Sequence, residues 1–292
     1  MIHLVFLSLL SIAFGQHANR CSLTAFPPKV GSEIGGTDIL SRLKKLPESQ
    51  IEREIEDYIQ KGHVPNFLRE FVAVETNCDA EKIKFWVSSD YLSLGTDADF
   101  FRIKIGARRA QSLADEMGYV LPTAAMVQLI HLQAKANSTA IAGKGMRNSP
   151  TVCNGDVGMQ TLECLEYYEK NVLLPKMKNI HVGALVSGFK KDIVVPSRTR
   201  PAERVSIFGF STTSSDFPIQ DGFGPHPQWY SDYSHGVRLV DPNIEVNGQR
   251  MTMERAMADG RAHCLFSNWL GPVTEMQAVF PVRAAQGAVC KN

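Results

Sequence analysis

Residues 220–241 read QDGFGPHPQWYSDYSHGVRLVD, setting two histidines, three aspartates, two serines and an arginine among four aromatics in a turn-rich stretch with a strand-like end. Ionisable groups on a loop beside a sheet suit a working site, because the strand fixes position while the loop exposes side chains. His235 fits general-base chemistry: imidazole exchanges protons near neutral pH, and Asp232 is close enough in sequence to fix its tautomer. Ser234 is then the candidate nucleophile. Neighbours on a strand face opposite sides, so only a loop can turn Ser234 and His235 together. Arg238 carries a planar fork that clamps carboxylates or phosphates, and Lys190 and Lys191 would add charge to an anion pocket. His226 and Tyr233 complete the candidate substrate face, with Trp229 and Tyr230 as further stacking surfaces for sugar rings.

Each of these residues also has a structural reading. For Arg238 it is a buried ion pair with Asp232 or Asp241, for the lysines a solvated face, and for the aromatics a place in the core. His226, His235 and Asp232 offer ligands of the kind zinc takes, which makes a metal-dependent hydrolase a third reading. Their spacing matches no metal signature, and no CxxC pair exists, so no metal or cofactor is expected.

The wording Ser234-His235-Gly236-Val237-Arg238 resembles the Ser-His-Gly-Cys-x-Arg motif of bacterial L,D-transpeptidases, which cross-link peptidoglycan through an acyl-cysteine. No cysteine follows Gly236, and the arginine comes one position early, so the thiolate step of that family has no counterpart here. A broader resemblance is to secreted, mostly bacterial proteins of unassigned activity. They combine three segments that appear here as LPTAAMV from Leu121, GFKKD from Gly188 and DYSHGVRLV from Asp232. That resemblance extends from about residue 71 to 259 and implies one fold without supplying a reaction.

The chain opens MIHLVFLSLLSIAFGQ, an apolar run followed by small residues Ala13 and Gly15 at the −3 and −1 positions of a cleavage site, so residues 1–15 read as a signal peptide. No later run reaches the roughly 18 apolar residues of a membrane helix, and membrane insertion is not expected. Six cysteines in an oxidising compartment predict up to three disulfides. Short loops favour Cys153 with Cys164 and Cys264 with Cys290, leaving Cys21 to hold Cys78. Asn137-Ser138-Thr139 is an N-glycosylation sequon. With 31 basic and 30 acidic residues and no basic block, the chain does not look built for nucleic acid.

The elements that must position these groups follow from periodicity. Residues 16–36, rich in Pro and Gly, predict an irregular arm, and residues 37–292 one α+β domain, mostly antiparallel sheet flanked by helices and stapled by disulfides. Helices are predicted over 51–61, 107–117, 123–136, 161–172 and 253–258. Strands are predicted over 71–74, 83–87, 100–105, 180–186, 192–195, 204–210 and 237–240, with an Asn-Gly turn at Asn247 and Gly248. His131, alone on the helix over 123–136, reads as a packed or surface residue. The expected function is a secreted hydrolase or transferase acting on an extracellular or cell-wall polymer or a small anionic substrate. A non-catalytic secreted binding or effector protein is the alternative.

Overall fold

The structure is a computed structural model in which residues 26–147, 151–196, 204–211, 218–222, 224–268, 271–273 and 276 are described. The expected signal peptide, Cys21 and Cys290 lie outside the described residues. Helix α1 (Gly36–Leu43) buries Ile39, Leu40 and Leu43, an apolar stripe one turn long, and borrows its cap from far along the chain. Asp99 accepts from the Thr37 amide at 3.1 Å and the Thr37 hydroxyl at 2.9 Å, satisfying donors that a helix start leaves open. Helix α2 (Glu48–Gln60) buries Ile51, Ile55 and Ile59, the predicted stripe, together with Tyr58. Part of the N-terminal arm is held by Arg69, which donates to the Phe26 and Pro27 carbonyls at 3.0 Å each.

Strands β1 (Phe71–Cys78) and β2 (Glu81–Ser88) form a hairpin that continues into β9 (Val240–Val246) and β10 (Gln249–Thr252), giving an antiparallel sheet in the order β1-β2-β9-β10. The predicted Asn-Gly turn joins β9 to β10, with Asn247 at φ 51° and Gly248 at φ 80°, the left-handed pair that matches strand twist. A short pair, β3 (Ser93–Gly95) and β4 (Phe100–Arg102), leads into α3 (Ala107–Glu116) and α4 (Ala124–Ala136). Thr123 caps α4 by accepting from the Met126 amide at 3.1 Å. Short helices α5 (Gly155–Met159), α6 (Leu162–Tyr168) and α7 (Leu174–Met177) follow, the last two joined by a π-helical turn over Glu169–Leu173.

A second sheet runs β7-β6-β5-β8, from β5 (Lys191–Ile193), β6 (Ile207–Ser211), β7 (Pro218–Asp221) and β8 (His235–Gly236). Its β5 and β8 pair in parallel, and its other ladders are antiparallel. Helix α8 (Met253–Ala258) and the small hairpin β11 (Ser267–Asn268) and β12 (Gly271–Pro272) complete the described elements. The protein is therefore α+β with mostly antiparallel sheets, and one apolar cluster of buried residues reaches from Phe26 to Met276. Among the described residues no helix is long and apolar enough to cross a membrane.

Cys153 pairs with Cys164 as expected, but Cys78 pairs with Cys264 across 186 residues, displacing the predicted Cys264–Cys290 and Cys21–Cys78 bridges. Loop length favoured the shorter closure, but the fold brings the end of β1 against the turn at His263–Leu265, with Cα atoms 5.7 Å apart. Residues 180–186, predicted as a strand, form turns, and the strand predicted over 100–105 stops at Arg102. Both departures matter below, because these residues wall a cavity.

Candidate functional site

The pairing of β5 with β8 sets Lys191 opposite His235 and Asp192 opposite Gly236, so two motif segments 44 residues apart become neighbours. The consequence is an interior, not an open cleft. Asp232, Tyr233, Ser234, His235, Lys190 and Arg238 are all at most 4% exposed, while Lys191 and His226 are half-buried. Gly236 is required by close packing, since a Cβ there would stand 2.4 Å from the Tyr91 ring.

Arg238 was a candidate anion clamp, and the structure gives its fork entirely to the protein. Nε donates to Asp192 at 3.1 Å, Nη1 to the Ser88 carbonyl at 2.9 Å and Nη2 to the Val186 carbonyl at 2.8 Å. The guanidinium also lies 4.2 Å from the Tyr91 ring centroid, and the Tyr91 hydroxyl donates to the other Asp192 oxygen at 2.9 Å. The ion pair anticipated for Arg238 is real, but its partner is Asp192, not Asp232 or Asp241. Asp241 instead meets Arg250 at the surface at 3.2 Å. Burial pushes the Asp192 carboxyl up despite Arg238 beside it, while burial lowers Arg238 less than Tyr91 and Asp192 raise it.

Asp232, His235 and Ser234 come together without forming a relay. Asp232 Oδ1 accepts from the Ser234 amide at 2.8 Å and the Ser234 hydroxyl at 2.5 Å, the local turn that Asp side chains favour. Ser234 is thus bonded to the acid and not to the histidine ring. Burial works to raise the Asp232 carboxyl, but His235, Lys191 and the Ser234 donors outweigh it and hold it at about 2. His235 is driven the other way by burial, against the pull of Asp232, to about 4, so its ring is neutral at pH 7. Among the described residues neither ring nitrogen has a hydrogen-bond partner, and the Tyr230 ring stands edge-on at 5.6 Å.

The other candidates divide between surface and interior. His226 stacks flat on Tyr230 at 3.8 Å, and Trp229 is 69% exposed. The Tyr233 hydroxyl accepts from the Met146 amide at 2.9 Å and donates to the Lys144 carbonyl at 3.2 Å, fixing the loop before α5. Lys191 lies with its ammonium 5.8 Å from the Phe210 ring. Lys190, read as part of an anion pocket or else as solvated, is fully buried: Nζ donates to the Tyr233 carbonyl at 2.8 Å and stands 3.6 Å from Glu169. Burial lowers its ammonium to about 8, with Glu169 opposing. Among the described residues no three His, Cys, Asp or Glu side chains are placed to hold a metal.

Glu169 leads from this buried network to a feature that motif reading missed. A cavity of about 350 Å³ lies between α1, residues 97–102, the helical stretch from α6 to α7 and residues 180–186. Leu40, Phe67, Phe100, Met177, Ile180 and Val182 supply much of its apolar wall. At its deep end Arg102, 3% exposed, donates twice to Asp90, at 2.8 and 2.6 Å, and once to Glu169 at 2.7 Å. Phe189 and Phe100 flank that guanidinium, with centroids at 4.9 and 5.2 Å. Glu169 opens the π-helical turn, a form of helix that concentrates at functional sites. Leu174 and Val182 at the rim are 66% and 47% exposed. An apolar pocket of this volume with a few convergent polar groups is the usual form of a small-molecule site. No family model, curated protein or solved structure matches the chain.

Proposed function

We propose that this chain is an exported, non-catalytic binding protein that takes a small, largely apolar molecule into the cavity beside α1. The open cavity of about 350 Å³ carries the reading. Its deep wall is braced by the segment expected to do chemistry: Glu169 faces Lys190, and Lys190 holds the Tyr233 carbonyl. On this view residues 232–238 build the interior that shapes the pocket. Export is supported by the leader-like first 15 residues and by the two disulfides.

The test is fluorescence titration with N-phenyl-1-naphthylamine, which brightens in apolar surroundings. Saturable binding at one site is expected, and Ala184→Trp, which puts an indole on the cavity wall, should weaken it at least tenfold while leaving the melting temperature nearly unchanged. Equal binding by wild type and Ala184→Trp would remove the cavity from the account.

One observation favours a second reading, hydrolase or transferase chemistry at His235. A buried imidazole with both nitrogens unbonded forgoes about 1–3 kcal/mol, a cost that active sites commonly carry. Release of product from peptidoglycan or a nitrophenyl ester, abolished in His235→Gln, would replace the binding reading with that one.

A further inference from the structure

Asn137-Ser138-Thr139 is the one Asn-x-Ser or Asn-x-Thr triplet in the chain, and the binding reading leaves it without a role. Its residues close α4, and the fold uses them unequally. The Asn137 amide donates to the Gln133 carbonyl at 3.0 Å, as any residue at a helix end can. Its side chain is exposed and makes no hydrogen bond to a described residue. Nor does the backbone require asparagine there. Asn137 sits at φ −86°, and the left-handed conformation that asparagine tolerates falls one residue later, on Ser138 at φ 58°.

Thr139 is fully employed. Its amide donates to the Ala134 carbonyl at 2.8 Å, and its hydroxyl is shared between that carbonyl, at 3.1 Å, and the Leu185 carbonyl. The hydroxyl thus ties the end of α4 to residues 180–186, which wall the cavity. Packing accounts for Thr139 and gives no reason for Asn137. An outward amide flanked by exposed Lys135, Ala136 and Ser138 leaves room for a bulky hydrophilic group at no cost to the core.

Resting on the export reading above, we propose that Asn137 is a modification site, carrying an N-linked oligosaccharide added as the chain enters a secretory lumen. In the transfer Asn137 Nδ2 forms a bond to the anomeric carbon of an oligosaccharide, whose bond to a lipid pyrophosphate breaks. The pyrophosphate leaves as the anion, and one amide proton passes to a base of the transferring enzyme. Thr139 supplies the hydroxyl that the triplet requires. Because folding engages that hydroxyl, transfer precedes closure of the α4 end on residues 180–186. The glycan then lies outside the cavity, whose lining does not include Asn137.

The test expresses the full chain with its own leader in secreting eukaryotic cells and treats protein from the medium with peptide N-glycosidase. A gain in mobility is expected, with peptide mapping showing conversion of Asn137 to aspartate. Asn137→Gln should run with the enzyme-treated wild type, and Thr139→Ser should keep the glycan. Thr139→Val should lose it and melt at a lower temperature than Asn137→Gln, because only Thr139→Val breaks the tie to Leu185. Secreted wild type with unmodified Asn137, or a glycosidase shift that persists in Asn137→Gln, overturns the site and leaves export standing. Unmodified chain confined to the cytosol sinks both. Should Asn137→Gln fail to fold, the conversion at Asn137 in enzyme-treated wild type still decides the matter.

Discussion

Replacing Arg238 by Met should cost about 3–5 kcal/mol of folding stability, the largest effect expected of any single change among the residues first singled out by motif. The cost arises because Asp192 would stay buried at 1% exposure with its cation gone, and the carbonyls of Ser88 and Val186 would lose their donor. For a domain of this size that corresponds to a fall in melting temperature on the order of 10 °C. Coupling gives the sharper check. In Asp192→Leu with Arg238→Met no uncompensated charge remains, so the double variant should be more stable than either single one. Urea denaturation of the four proteins reads the cycle, and additive losses would show that the two side chains do not form the pair described.

Acid should destabilise the protein in two separate windows. His235 has its folded-state value lowered from 6.5 to about 4, so the unfolded chain takes up the proton first. The stability associated with the neutral ring is complete above pH 6.5 and is lost as pH falls toward 4, by about 3 kcal/mol in all. Asp232, also lowered, from 3.8 to about 2, keeps its contribution above pH 3.8 and loses it as pH falls through 2. His63 and His226, both lowered by burial, add smaller losses of the same sign in the upper window. Denaturation free energies from pH 7 to pH 4 should therefore fall steeply for wild type and much less for His235→Gln. Parallel curves for the two proteins would show that His235 is not the buried neutral group described.

What was legible in the sequence was local. The repeat of Ile51, Ile55 and Ile59, the helix predicted over 123–136, the Asn-Gly turn and the 11-residue Cys153–Cys164 closure each depend on residues within a few turns of one another, and each formed. Contacts set by distant chain were not legible. Nothing near Cys78 announces Cys264, and the run from Gly36 to Leu43 becomes a helix with a cap supplied by Asp99. The same limit governed the site. Lys190, Asp192, Asp232, Ser234, His235 and Arg238 are polar types that ordinarily face water, so their clustering suggested a working surface. Their burial is tolerated because each charge finds a partner, Asp192 and Glu169 on other elements for Arg238 and Lys190, and the Ser234 donors two residues on for Asp232. The cavity had no motif to reveal it. Asp90, Arg102 and Glu169 are separated by up to 79 residues, and only folding brings them to one wall.

The central claim is that small molecules enter beside α1 and not over the 226–235 face. Photolysis of the protein with an alkyl diazirine, followed by peptide mapping, tests this directly. Label is expected in peptides carrying residues 36–43, 97–102 and 174–184, and it should vanish in Ala184→Trp. Label concentrated instead on residues 226–235, around His226, Trp229 and Tyr230, would contradict the account and return the working site to the aromatic face.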